Sequence, residues 1–161
     1  MTINFFENSD KNYRWIILKI EEYFFPEDLL YDISEPGHIW IRKIEENKIE
    51  TGIDDYAAKR AGEIEFIRTM KVGKQITKGG TIGTYETGKW IGQIKSPVSG
   101  TIVEKNELLK KQPELVNKAP YSAWIVRIEG AKIEEELKEN ELIVEAGEKL
   151  KEHILFRISK E

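Results

Sequence analysis

Tyr85-Glu86-Thr87-Gly88-Lys89-Trp90-Ile91-Gly92-Gln93-Ile94-Lys95-Ser96-Pro97-Val98-Ser99-Gly100 reads as a tight turn with one lysine at its tip. Residues 81 to 86 form a strand-like run behind Gly79-Gly80. Ile91-Gly92-Gln93-Ile94 begins the return strand, which Pro97 ends because proline cannot donate to a ladder. Thr87-Gly88 is expected to supply the turn, glycine accepting the positive φ that tight hairpins demand. Lys89 then projects from a rigid loop, away from the sheet. A solvent-held lysine on a preorganised turn suits covalent attachment of a long swinging group. The ordinary alternative is a surface lysine that keeps a sheet edge solvated.

A sharper rival is a phosphate-binding loop. Gly83-Thr84-Tyr85-Glu86-Thr87-Gly88-Lys89 fits its first seven positions, but Trp90 stands where a Ser or Thr would hold magnesium. A helix should follow, its N-terminus facing phosphate. Ile91-Gly92-Gln93-Ile94 alternates instead and runs into Pro97, so nucleotide binding is rejected.

The remaining strands are read outward from this hairpin. Glu63-Ile64-Glu65-Phe66-Ile67 alternates as a strand, and Val72-Gly73-Lys74-Gln75-Ile76 and Lys78-Gly79-Gly80 make turns. Val98-Ser99-Gly100-Thr101-Ile102-Val103-Glu104 is a strand after the proline, and residues 72 to 82 echo residues 98 to 103 weakly. Gly37-His38-Ile39-Trp40-Ile41-Arg42 and residues 48 to 53 form a hairpin about Glu45-Glu46-Asn47. Asp54 or Asp55 caps a short helix that Gly62 stops in the left-handed conformation; capping explains this acidic pair better than acid/base or metal chemistry. Asn106 opens one helical turn, residues 113 to 121 are ordered loop, and residues 123 to 128 are a final strand. Short strands at this spacing predict a small β-sandwich or barrel.

At the ends, residues 1 to 12 read as polar and loose, and residues 14 to 25 as a strand or short helix packed on the body. After residue 130 the chain reads as helical. Ala146, Leu150, Ile154 and Ile158 share a face, Gly147 weakens that helix, and His153 is a satisfied or surface histidine rather than a ligand.

Composition limits the function classes. The 161 residues, 40% hydrophobic and 34% charged, suffice for one domain with one core. No apolar run approaches a membrane span, and no secretory signal opens the chain, so a cytoplasmic protein is expected. Without cysteine there is no disulfide, thiol nucleophile or cysteine metal site, and two histidines make a poor metal set. A net charge of −4, its positive groups scattered among glutamates, argues against nucleic acid as partner. The Glu, Lys and Ile content is that of a heat-tolerant protein.

These blocks together resemble the H-protein of the glycine cleavage system. His38-Ile39-Trp40-Ile41-Arg42 is similar to that family's His-x-Trp-Val-Arg strand, and Gly52-Ile53-Asp54-Asp55-Tyr56-Ala57 to its Gly-Ile-Thr-x-Tyr-Ala. Ala61-Gly62-Glu63-Ile64 resembles Leu-Gly-Asp-Ile. Pro97-Val98-Ser99-Gly100 matches directly, as do Pro113-Glu114-Leu115-Val116-Asn117 and Pro120-Tyr121, with Trp124 just beyond. The resemblance spans roughly residues 35 to 145. The family's lipoylated lysine sits in Glu-Ser-Val-Lys-Ala, eight residues before the proline of Pro-Val-Ser-Gly, which is the place of Lys89 before Pro97. Glu86 and Gly100 occupy the glutamate and glycine that the attaching enzyme reads. Gly88 and Trp90 depart from the family's Val and Ala, and Trp90 offers apolar surface to the arm or a partner. The Met-Lys-Met of biotin carriers is absent.

The resemblance implies a mainly β, lipoyl/biotinyl-type barrel-sandwich hybrid with short flanking α-helices at the C-terminus. Residues 1–34 would be an N-terminal extension packing on the core, 35–130 the lipoyl-carrier domain and 131–161 a helical segment. It implies a noncatalytic, monomeric carrier with lipoate on Lys89. That carrier would move an aminomethyl group between glycine decarboxylase, aminomethyltransferase and dihydrolipoyl dehydrogenase after modification by a lipoate ligase. The alternatives are an H-like lipoate-binding protein serving a heterodisulfide-reductase-like sulfur-oxidation system, and a structural or binding domain without lipoate.

Overall fold

The strand β5 (Ile39–Glu45) is buried on both faces at its start. The computed structural model, which describes residues 2–7 and 14–161 with side chains from residue 16 onward, turns Ile39 and Ile41 into one hydrophobic core and Trp40 into another. This is the two-residue period of a strand placed between two apolar layers. β6 (Lys48–Ile53) returns antiparallel and sets Gly52 opposite Trp40. A Cβ at Gly52 would stand 2.7 Å from the indole, so the ring lies against bare backbone, and its Nε1 donates to the Pro120 carbonyl at 2.9 Å.

Five further strands complete the larger sheet: β4 (Leu30–Asp32), β8 (Gln75–Ile76), β11 (Gly100–Lys105), β12 (Val126–Glu129) and β13 (Ile143–Glu145). Their antiparallel order is β13-β4-β5-β6-β12-β11-β8. A second sheet has the order β10-β9-β7, from β7 (Ile64–Thr69), β9 (Thr81–Thr87) and β10 (Ile91–Lys95). Ile49, Ile102 and Ile128 of the first sheet share a core with Ile82 and Ile94 of the second. This is the mainly β barrel-sandwich arrangement expected. Fully burying each such isoleucine is worth about 1.5–3 kcal/mol.

The other core joins the two ends of the chain. β1 (Thr2–Glu7), β2 (Arg14–Ile20) and β3 (Tyr23–Pro26) form a third antiparallel sheet. Leu18 and Phe25 from this sheet meet Tyr31, Trp40 and Tyr56, and α5 (Glu148–Ile158) adds Leu150 and Ile154. Phe25 meets Tyr31 edge-to-face at 5.3 Å between centroids. The start of the chain is therefore not loose: β1 pairs with β2 from Thr2↔Lys19 to Glu7↔Arg14, while residues 1 and 8–13 lie outside the described residues.

Three local expectations are corrected. The segment after residue 130 is not wholly helical, because β13 follows α4 (Ile133–Glu139) and pairs with β4. Gly147 is the residue preceding the first turn of α5, where it costs the helix interior nothing. The block at residues 113–117, expected as loop, runs into a short helix, α3 (Leu115–Lys118), after α2 (Leu108–Lys111). No helix among the described residues is long and apolar enough to cross a membrane.

The α1 helix (Asp55–Ala61) starts as predicted, with Asp54 accepting from Ala57 N at 2.9 Å. Gly62 ends it at φ 79 and ψ −163, a positive φ but in a glycine-only extended region rather than the left-handed helical one. Asn117 explains how this turn is held: its amide oxygen accepts from Ile64 N at 2.9 Å and its Nδ2 donates to the Ala58 and Gly62 carbonyls at 3.1 and 2.7 Å. Asn117→Ala should lower unfolding free energy by about 2 kcal/mol, since three backbone groups lose their partner. Urea unfolding of both proteins measures it, and a loss under about 0.5 kcal/mol would show the turn is held otherwise.

Candidate functional site

The β9–β10 hairpin closes through Thr87. Its N–H donates to the Trp90 carbonyl at 3.0 Å, and its Oγ1 accepts from the N–H groups of Lys89 and Trp90, both at 3.3 Å. The loop itself is Gly88 and Lys89. The turn does not use a positive φ at Gly88, contrary to the sequence expectation: the described glycines with positive φ are Gly37, Gly62, Gly73 and Gly79. The hydroxyl acceptor replaces the second backbone bond of an ordinary two-residue hairpin and relieves the glycine of that demand. Lys89 is exposed, and its amine makes no hydrogen bond or ion pair among the described residues. Its side chain is an accessible group on a fixed platform.

Glu86 faces solvent on the same sheet but is not fully exposed. Its side chain is 28% accessible and lies 3.9 Å from Arg68, a contact too loose and wet to contribute much stability. The register sets Phe66, Glu86 and Ile91 in one row across the three strands. Phe66 and Ile91 are 54% and 67% exposed, giving the carboxylate two apolar flanks. The alternation of the sequence put Phe66 with Ile64, which is buried. A bulge between them turns Phe66 outward.

Gly100 belongs to the other sheet. A Cβ there would stand 2.4 Å from the Glu129 carbonyl, so the close approach of β11 to β12 requires glycine. The structure therefore gathers Glu86, Lys89 and Trp90 at one hairpin end and places Gly100 on β11. Gly92 faces Tyr85 across the hairpin, where a Cβ would stand 2.1 Å from the phenol ring.

Trp90 and Tyr85 line a cleft of about 200 Å³ that sequence reading missed. Its other lining includes Ile53, His38, Arg60 of α1 and Arg157 of α5. These residues are far apart in sequence and meet only through the tertiary fold, so no local pattern marks them. His38 is 2% exposed and holds φ 65, uncommon for a residue with a side chain. Its Nδ1 lies 3.0 Å from Asp54 Oδ2 and its Nε2 3.1 Å from His153 Nε2. With Nδ1 turned to the carboxylate, Nε2 of His38 is left to meet His153. His153 is thus satisfied, as predicted. Burial first, then His38 and Arg157, hold its imidazole below the usual histidine range, against a smaller pull from Glu35 and Asp54.

A barrel-sandwich hybrid that presents one unpaired lysine on a tight hairpin belongs to the lipoyl/biotinyl class of folds. Residues 29–153 match the family model for the glycine cleavage H-protein. The chain is 37% identical over 140 residues to glycine cleavage system H protein 2 of Aquifex aeolicus, covering 84% of this chain and 86% of that protein. It is 38% identical over 134 residues to H protein 3 of the same organism, covering 80% and 81%. The crystal structure of a glycine cleavage system H protein from Mycobacterium marinum superposes with a TM-score of 0.60 at 26% identity, covering 66% of this chain and 87% of that one. This chain belongs to the glycine cleavage H-protein family.

Two measurements test the geometry. Gly88→Ala should leave the melting temperature nearly unchanged, because a Cβ there meets only Glu65 Oε1 at 3.7 Å. Gly92→Ala, which pushes Tyr85 off the strand, should cost about 1–3 kcal/mol; equal losses would refute this picture of the hairpin. The lowered His153 pKa fixes a sign for pH. The neutral form is favoured in the fold, so its contribution is complete above about pH 6.5 and is lost as pH falls through the lowered value. His153→Gln should flatten the melting-temperature profile below about pH 6.5 relative to the native chain. Parallel profiles would count against the assignment.

Proposed function

We propose that this chain is a lipoyl carrier, with lipoate joined to Lys89 by an amide, serving as the noncatalytic shuttle of a glycine cleavage system. The single observation that carries the reading is the unpaired amine of Lys89 at the tip of a loop pinned by Thr87. Family membership supports it, and the residues fit the group: the amine is accessible, and a cleft lined by Trp90 and Tyr85 begins one residue away. Bound lipoate supplies a disulfide able to take up and pass on a group. The chain's own part is to hold the anchor still, so that all freedom lies in the arm, and to present a recognisable surface. Glu86 between Phe66 and Ile91 is proposed as the surface read by a lipoate ligase, with Gly100 keeping β11 in place. Glycine decarboxylase, aminomethyltransferase and dihydrolipoyl dehydrogenase are the proposed partners, in the cytoplasm, with the carrier acting as a monomer. The organisation proposed is an N-terminal extension over residues 1–34, a carrier domain over 35–130 and a C-terminal segment over 131–161.

Trp90 favours a second reading, a carrier for a heterodisulfide-reductase-like sulfur-oxidation complex. It is 53% exposed beside the anchor, where a partner shaped for alanine meets an indole.

Incubation with lipoate ligase, ATP and lipoate should add one lipoyl group by intact mass. Lys89→Arg should abolish the addition, since arginine keeps the charge but forms no such amide. Glu86→Ala should slow it several-fold without lowering the melting temperature appreciably. Lipoate mapped to Lys74 or Lys95, or an unmodified native chain, sinks the reading.

A further inference from the structure

Gly88 is a glycine that its own backbone does not require. Its φ is not positive, and a Cβ there would meet only Glu65 Oε1, at the ordinary contact distance of 3.7 Å. Glu65 is the extra residue of the β7 bulge. Ile64 pairs with Thr87 and Phe66 with Glu86, which leaves Glu65 with no partner on β9. Strict alternation would turn only one of Glu65 and Phe66 outward, whereas the bulge exposes both. The Glu65 side chain reaches the loop that follows β9 and sets its carboxylate against the residue before Lys89. That carboxylate makes no hydrogen bond or ion pair among the described residues. Glu86, by contrast, has Arg68 at 3.9 Å and is 28% accessible.

We propose that Glu65 is a specificity-determining residue for the modification of Lys89: it takes a basic side chain, arginine or lysine, of the enzyme that attaches the arm, and Gly88 is small so that this carboxylate stays uncovered. This rests on the proposed attachment at Lys89. An acid that only keeps an edge strand solvated needs neither a bulge nor a bare neighbour. An acid that an incoming protein must reach uses both: the bulge aims it at the loop, and the glycine leaves the approach to it open. Glu86 with its flanks Phe66 and Ile91 gives the enzyme one point of contact, and Glu65 on the neighbouring strand gives a second. Two points fix how an enzyme lies over the hairpin, which one point does not. The contact is an exposed charge pair, so it acts on encounter and binding rather than on the transfer step.

The test uses the full-length unlipoylated chain with lipoate ligase, ATP and lipoate, at varied concentrations of the carrier. Glu65→Gln should raise KM for the carrier about threefold and leave kcat nearly unchanged, as the loss of one exposed charge contact predicts. Glu65→Asp, which keeps the charge, should recover most of that loss, and Glu65→Lys should lose more than Glu65→Gln. The advantage of the native chain over Glu65→Gln should shrink at high salt. Gly88→Val should raise KM in the native background and add little in the Glu65→Gln background, where the carboxylate it covers is already gone. Melting temperatures should stay nearly equal throughout, since the Glu65 carboxylate holds nothing else in place. A Glu65→Gln KM equal to the native one, a loss in kcat alone, or an advantage that salt does not reduce overturns the proposal. So does a cost of Gly88→Val that is as large without the carboxylate as with it. A native chain that the ligase leaves unmodified sinks the lipoylation reading and this proposal with it, whereas native and variant chains modified alike sink this proposal alone.

Discussion

Asp54 ties together the parts of this molecule that do not follow one another in sequence. It is fully buried, yet neither carboxylate oxygen is orphaned: one accepts from Ala57 N and starts α1, the other holds His38. Its own N–H donates to the His38 carbonyl at 3.0 Å, so backbone and side chain grip the same residue. His38 then reaches His153 on the last helix. A buried carboxyl group left without partners costs free energy, so the loss of either contact weakens the whole tie. Through them the first strand of the hybrid, α1 and α5 take fixed places, and the cleft beside the hairpin exists because they do.

A second constraint sets strand register. Arg42, Glu50, Arg127 and Glu104 lie opposite one another across β5, β6, β12 and β11, a row of alternating sign. Arg42 donates to Glu50 at 2.6 Å, and Arg127 reaches Glu50 at 3.1 Å and Glu104 at 2.8 Å. Hydrogen bonds from Lys48 and Arg127 hold the Glu104 carboxyl below its usual range. Being exposed at one end, the row adds little to stability; its weight lies in register, since a one-residue slip would break every pair and turn the apolar face outward.

The lysine hairpin was legible because a short polar turn flanked by alternating strands has few other solutions, and the α1 cap because its signals are local. Resemblance supplied other blocks without reasons, and contacts now give some of them one. Gly52 makes room for Trp40, and Asn117 binds the end of α1 to β7. What escaped the sequence was non-local or off-period. Thr87 bridges its own turn with a hydroxyl, a choice among equivalents that no pattern announces. The bulge after Ile64 inverts the side of Phe66. β1 read as loose because nothing in its own residues names the strand it pairs with. Arg60, His38 and Arg157 share a cleft only after three elements have packed.

A carrier of the proposed kind works under opposing demands. Tethering raises the effective concentration of the arm at each partner, an advantage that depends on a free arm. A cleft that held the arm too tightly would subtract its docked fraction from every encounter, because a partner meets only the undocked population. The cleft of this molecule is small, it opens beside the hairpin, and its two arginines are paired with Glu161 and Glu35. The loop meets the same demand from the other side: Thr87 confines the turn, so in a carrier of the proposed kind motion belongs to the arm and not to its anchor.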